Sequence, residues 1–190
     1  MKSSPLMKIA KSQFTKSLIT QNRFPETAFK EWFFKPGMLF NDMNKWWQNG
    51  TQRPHPHEGV DFCCYINELG GLVYLREGIK IPALYDGRVV KIFQDFLGHS
   101  IMVAHDYATN GQRLVAIYAH TVPRHGLKAG QRIQADNQLA VIAAGRRDII
   151  SAHLHITTCW ASETQLVQID WQTIHDKQIV RLSNPMDYIR

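Results

Sequence analysis

From Val60 onward, turn-forming dipeptides cut the chain into short β-branched and aromatic runs, and this cadence restricts it to a β-sheet domain. The runs are Val60 to Tyr65, Ile81 to Leu84, Arg88 to Phe93, Ser100 to His105, Arg113 to His120, Gln138 to Ala143 and His153 to Cys159. Asp86-Gly87, Leu97-Gly98, Asn110-Gly111 and Ala129-Gly130 fall between them. Asn-Gly between two such runs is a strong hairpin signal, because both residues tolerate positive φ. Arg113 to His120 therefore reads as the second arm of a hairpin whose first arm is Ile101 to His105. The expected fold class is mostly β, an antiparallel sheet domain.

Residues 1–55 differ in character. They combine Lys-rich polar stretches with the helix-compatible pieces Glu26 to Phe34 and Met38 to Trp47, and Gly50, Pro54 and Pro56 punctuate the passage into the strand-rich region. The expected organisation is an N-terminal extension with short helices over 1–55, packed on a main domain over 56–190. Trp32, Phe33, Phe34, Trp46 and Trp47 are expected to anchor that packing, since aromatic side chains bury the most area per residue. At the other end, Asn184 can cap and Pro185 can start a short closing helix.

With 190 residues, the chain can build one domain with a real core. Its 44% apolar and 20% charged content excludes disorder and fibrous folds. The formal charge of +6, with an excess of Lys and Arg near the start, reads as a solubilising surface and implies no specific nucleic-acid partner. The 3 cysteines form no CxxC pair, which argues against a disulfide framework and against a cysteine zinc site. Cys63 and Cys64 are expected to be buried thiols, slightly favouring reduced surroundings. No apolar stretch approaches the roughly 20 residues of a membrane span, and no secretory signal is visible at the start. Compartment is left open between export and the cytoplasm, and oligomeric state is also open.

The chemistry is concentrated in two clusters, His55-Pro-His57-Glu-Gly-Val-Asp61 and Ser151-Ala-His153-Leu-His155. Residues two apart on a strand share a face, so His153 and His155 are expected to point into one cavity. Neutral imidazole and carboxylate are both good zinc ligands, and three protein ligands plus a water make a catalytic zinc site. His57, Asp61 and His155 would supply such a triad, with Glu58 a competitor for Asp61 that spacing alone does not separate. His55, His99, His105, His125 and His175 show no paired ligand spacing and read as structural or surface residues. Tyr118 is read as either site-lining or core.

Taken together, His57-Glu-Gly59-Val-Asp61, Asp86-Gly87-Arg-Val, Tyr118-Ala-His120, Gly126-Leu-Lys-Ala-Gly130-Gln-Arg-Ile133, His153-Leu-His155 and Asn184-Pro-Met-Asp-Tyr188 resemble the M23 (LytM/lysostaphin-type) metallopeptidases. The pieces stand in family order over roughly residues 55 to 190. The resemblance implies that His57, Asp61 and His155 bind Zn2+ and that His120 and His153 are catalytic. It also implies an endopeptidase acting on peptidoglycan cross-bridges or stem peptides. The passage Ala144-Gly-Arg-Arg-Asp-Ile-Ile-Ser151 departs from the Gly-rich loop common in the family, so Arg146 and Arg147 bear on substrate preference. Two alternatives stand beside the peptidase reading: a catalytically silent domain that binds cell wall or regulates another hydrolase, and an intracellular zinc peptidase with a non-wall substrate. The extension, running directly into His57, is expected to lie near the groove and restrict access.

Overall fold

A computed structural model describes residues 9–24, 29–48, 50–146 and 149–190. In chain order its elements are α1 (Phe14–Gln21), β1 (Glu31–Phe33), β2 (Gly59–Phe62), β3 (Cys64–Ile66), β4 (Leu72–Tyr74), β5 (Lys80–Pro82), β6 (Gly87–Gln94) and β7 (His99–Thr109). They continue with β8 (Gln112–Pro123), β9 (Arg132–Ile133), β10 (Gln138–Ile142), β11 (Leu154–Ser162) and β12 (Arg181–Ser183), with 3-10 turns at Leu166–Gln168 and Pro185–Asp187.

The mostly antiparallel β architecture expected from the sequence is what the chain adopts. β12, β11, β8, β7, β6 and β9 lie side by side in a 9-stranded sheet that also takes in β2, β5 and β10. A 3-stranded sheet of β1, β3 and β4 stands apart. β7 and β8 form the expected hairpin, turned by Asn110 at φ 49° and Gly111 at φ 74°. That double positive φ is the type I′ geometry whose twist matches the flanking strands.

β11 carries the site because three strands converge on it. It pairs with β8 along one edge, while its first half pairs with β2 and its second half with β12 along the other. Nearly every residue of β11 is buried, as expected for a central strand. One face of the sheet meets a core that includes Phe62, Tyr118, Leu154 and Ile156, and the other packs Met102, Ile117 and Cys159 against Leu166, Ile169 and Ile174.

The N-terminal expectations need correction in part. Within Glu26 to Phe34, residues 26–28 lie outside the described residues, and Glu31–Phe33 is a strand paired with β3 rather than a helix. Met38 to Trp47 is a series of turns. Its helix pattern loses to Asp42, whose carboxylate accepts from Gly37 N (2.6 Å) and Asn44 N (2.8 Å), a local side-chain-to-backbone alternative to the helix ladder. The helix that does form, α1, buries Phe14 and Leu18 in the main core. Trp32 packs edge-on against Phe62 with ring centres 4.8 Å apart, as an anchor should, but Phe33 is exposed. The closing turn has the expected chemistry: the Asn184 side chain accepts from Met186 N at 3.0 Å, and Pro185 stands in the first turn.

All 3 cysteines are free and buried. Burial pushes the Cys63 and Cys159 thiols up to about 12. No helix among the described residues is long and apolar enough to cross a membrane.

Candidate metal centre

The antiparallel register of β2 and β11 sets Asp61 directly opposite His155. Facing residues on one side of such a pair bring their side chains into contact. His57 lies just ahead of β2 and is fixed by its own backbone, with His57 N donating to Asp42 O (3.0 Å) and Asn41 N donating to His57 O (2.9 Å). Gly59 makes the approach feasible, because a Cβ there would come within 2.7 Å of His155 Nε2. A buried cluster results, in which His57 Nε2 lies 3.1 Å from His155 Nδ1 and 3.4 Å from Asp61 Oδ1, and His155 Nδ1 lies 2.7 Å from Asp61 Oδ1.

The donor set suits a zinc ion. Ligands 2.0–2.1 Å from a tetrahedral ion stand about 3.3 Å apart, close to the separations of His57 from His155 and Asp61, while the 2.7 Å between His155 and Asp61 is shorter. His57 Nδ1 donates to the Leu39 carbonyl at 3.1 Å, so Nε2 turns a lone pair inward. His155 Nε2 meets Thr157 Oγ1 at 2.7 Å, and with the proton there Nδ1 is likewise a free donor atom. Full burial works against an ionised Asp61, yet in the metal-free cluster, where a proton on His57 Nε2 or His155 Nδ1 can face it, the charge and hydrogen bonds of these two rings outweigh burial and hold the carboxyl well below its usual range. Glu58 does not join the cluster: its Oε1 lies 3.8 Å from the outward Nε2 of His155, and its Oε2 lies 3.8 Å from His175 Nε2.

His120 and His153 stand beside these groups. Their rings meet edge-on with centres 4.7 Å apart, and the His120 ring is 5.9 Å from that of His155. The β7–β8 register shifts between Ile101 and His99, and His120 sits at this irregularity with φ 63°. The twist breaks strand alternation, which explains why Tyr118 and His120 part company. Tyr118 is buried in the core, where its hydroxyl accepts from Leu84 N at 2.8 Å, while His120 faces the cavity. His153 donates from Nδ1 to the Ser151 carbonyl at 2.9 Å, and its Nε2 lies 3.9 Å from Asp61 Oδ1. Burial lowers the His153 pKa to about 4, so the ring is neutral.

Sequence spacing gave no warning of Asp95. Its Oδ1 accepts from His120 Nδ1 at 3.1 Å and its Oδ2 from His120 N at 2.9 Å, so one carboxylate fixes both the ring and the unusual backbone. Ser100 Oγ donates to the same Oδ2 at 2.7 Å, and Trp171 Nε1 donates to Ser100 Oγ at 3.1 Å. Burial opposes ionisation of Asp95, but these hydrogen bonds, led by His120, keep its carboxyl below the usual carboxylate range. Phe96, Trp47, Trp171 and Ile174 wall a cavity of about 280 Å³ over the histidines. Arg146 lies over the Phe96 ring at 4.8 Å, whereas Arg147 falls outside the described residues.

No protein-family model matches the chain, and no curated protein does either. Solved structures do. A structure of LytU is 26% identical, covering 69% of this chain and 79% of its own, with a TM-score of 0.45. The catalytic domain of the prophage-encoded M23 protein EnpA from Enterococcus faecalis is 18% identical, covering 70% of this chain and 85% of its own, at a TM-score of 0.41. The catalytic domain of the antimicrobial peptidase lysostaphin from Staphylococcus simulans is 17% identical, covering 83% of this chain and 90% of its own, with a TM-score of 0.51. With that superposition running through most of both chains, the protein has the fold of the M23 (LytM/lysostaphin-type) peptidases.

Proposed function

We propose that this chain is a zinc metalloendopeptidase that cleaves peptide bonds in peptidoglycan cross-links or stem peptides. The observation that carries the reading is the convergence of His57 Nε2, Asp61 Oδ1 and His155 Nδ1, all buried and within 4.8 Å of one another. These residues would hold zinc, which when bound polarises the scissile carbonyl and makes a water acidic enough to lose its proton near neutral pH. His120 takes that proton at Nε2, because its Nδ1 is committed to Asp95, whose negative charge stabilises the imidazolium. His153, held neutral with its Nδ1 proton on the Ser151 carbonyl, accepts a hydrogen bond at Nε2 from the same water and fixes its direction. Trp47, Phe96 and Trp171 exclude bulk solvent from the reacting bond.

The test is digestion of purified peptidoglycan by the wild type and by His153→Ala, with zinc content measured on both. Soluble peptide fragments are expected from the wild type, and release at least about 10²-fold slower from the variant at unchanged zinc content. Zinc bound by both proteins with no fragments from either would favour the silent, wall-binding alternative.

A further inference from the structure

The carboxylate of Asp61 has two oxygens with different neighbours. Oδ1 faces His57 and His155, whereas Oδ2 turns toward the N-terminal segment, where it accepts from Trp46 Nε1 at 2.7 Å and from Arg53 Nη2 at 3.4 Å. Both donors belong to a loop braced from within. The Arg53 guanidinium also donates to Gly37 O at 3.0 Å and to Asn44 O at 3.2 Å, and it lies over the Trp47 ring at 4.7 Å. The loop folds so tightly that a Cβ on Gly37, at φ 98°, would come within 2.7 Å of both Asn44 O and Trp46 N. From the same stretch, Met38 O accepts from Asp61 N at 2.9 Å, and Leu39 O accepts from His57 Nδ1. The Trp46 ring stands edge-on to His153, centres 5.1 Å apart.

We infer that Trp46 and Arg53 are positioning residues for the metal centre, holding Asp61 so that it offers Oδ1 alone to the ion. With Oδ2 committed to an indole N–H and a guanidinium, the carboxylate cannot rotate to bind through both oxygens, and a coordination position stays open for water. Outer partners of this kind orient ligands and tune affinity. The segment at 37–53 is then a working part of the site, which gives the region ahead of residue 56 a role other than restricting access. The inference rests on the zinc reading proposed for His57, Asp61 and His155.

Trp46→Phe keeps an aromatic ring at the position that faces His153 and removes the N–H that Asp61 accepts from, along with part of the indole. Zinc affinity is measured by chelator competition on wild type and variant, alongside melting of the metal-free proteins. The expected result is a 10–100-fold rise in the zinc dissociation constant with metal-free melting unchanged. Cobalt(II) in the variant should show weaker visible absorption, as the released carboxylate adds a second oxygen to the ion. Wild-type affinity and an unchanged cobalt spectrum in Trp46→Phe would overturn the inference while leaving the zinc reading intact. A wild type that takes up no zinc would overturn both. Should the variant fail to fold, the wild type decides: zinc added to metal-free protein must shift the Trp46 indole N–H resonance in a proton–nitrogen correlation spectrum, and an unmoved resonance overturns the inference.

Discussion

His120 shows how much a single residue here depends on partners far along the chain. Its φ of 63° is uncommon for a residue with a side chain, and it is held by a carboxylate 25 residues away that accepts from both its backbone and its ring. Asp95→Asn puts an amide where two acceptor oxygens served Ser100, His120 and the loop amides of Leu97 and Gly98. The expected outcome is a fall in kcat of roughly 10²-fold with KM little changed and zinc content retained, checked by steady-state kinetics and metal analysis. The ligand candidates are legible in the sequence because each part is local: His57 and Asp61 lie four apart on one segment, and His153 and His155 lie two apart across the point where β11 begins. Asp95, Trp46 and Arg53 are not, since each reaches the site only through tertiary closure and none sits in a ligand-like spacing.

Among the elements, the strands legible in advance are those where apolar runs meet turn residues with special φ. Asn110-Gly111 is the clearest case. A Cβ on Gly111 would meet nothing within 4 Å, but φ is 74°, so Gly111→Ala should lower unfolding free energy by about 1 kcal/mol through backbone strain alone. Urea denaturation of the two proteins checks the figure, and no loss would mean that the hairpin does not hold the type I′ turn. β1, β4, β9 and β12 leave no pattern in the sequence because each spans only two or three residues, too short for alternation to register. Met38 to Trp47 misled for a different reason: the apolar spacing suits a helix, but Asp42 captures the backbone donors that a helix would need.

Over the whole molecule, the segment ahead of residue 56 and the strands after it share one interior. Phe14 and Leu18 lie in the same core as Phe62 and Tyr118, so a chain beginning at residue 56 is expected to lose roughly 1.5–3 kcal/mol for each. Melting of that shortened chain beside the full one tests this. Acid should also weaken the fold. His105 is fully buried, its Nδ1 donates to the Tyr85 carbonyl at 3.1 Å, and its Nε2 has no partner among the described residues. Burial lowers its pKa from 6.5 to about 4, against the opposing pull of the Asp86 and Tyr85 carbonyls. Below pH 6.5 the unfolded chain takes up a proton that the folded chain refuses, so stability present above 6.5 is lost as pH falls toward 4. The loss approaches about 3 kcal/mol. Chemical denaturation of the metal-free protein across that range should show a loss that is smaller by this amount in His105→Leu, and equal losses would place the acid sensitivity elsewhere.

The peptidase chemistry proposed for this chain turns on one ion held by His57, Asp61 and His155. Elemental analysis of purified protein, wild type beside Asp61→Ala, reads that ion without any assumption about substrate. One zinc per chain is predicted in the wild type, with a loss of tight zinc in the variant. Wild-type protein that remains free of zinc after equilibration with the metal, or Asp61→Ala that retains a full equivalent, would contradict it.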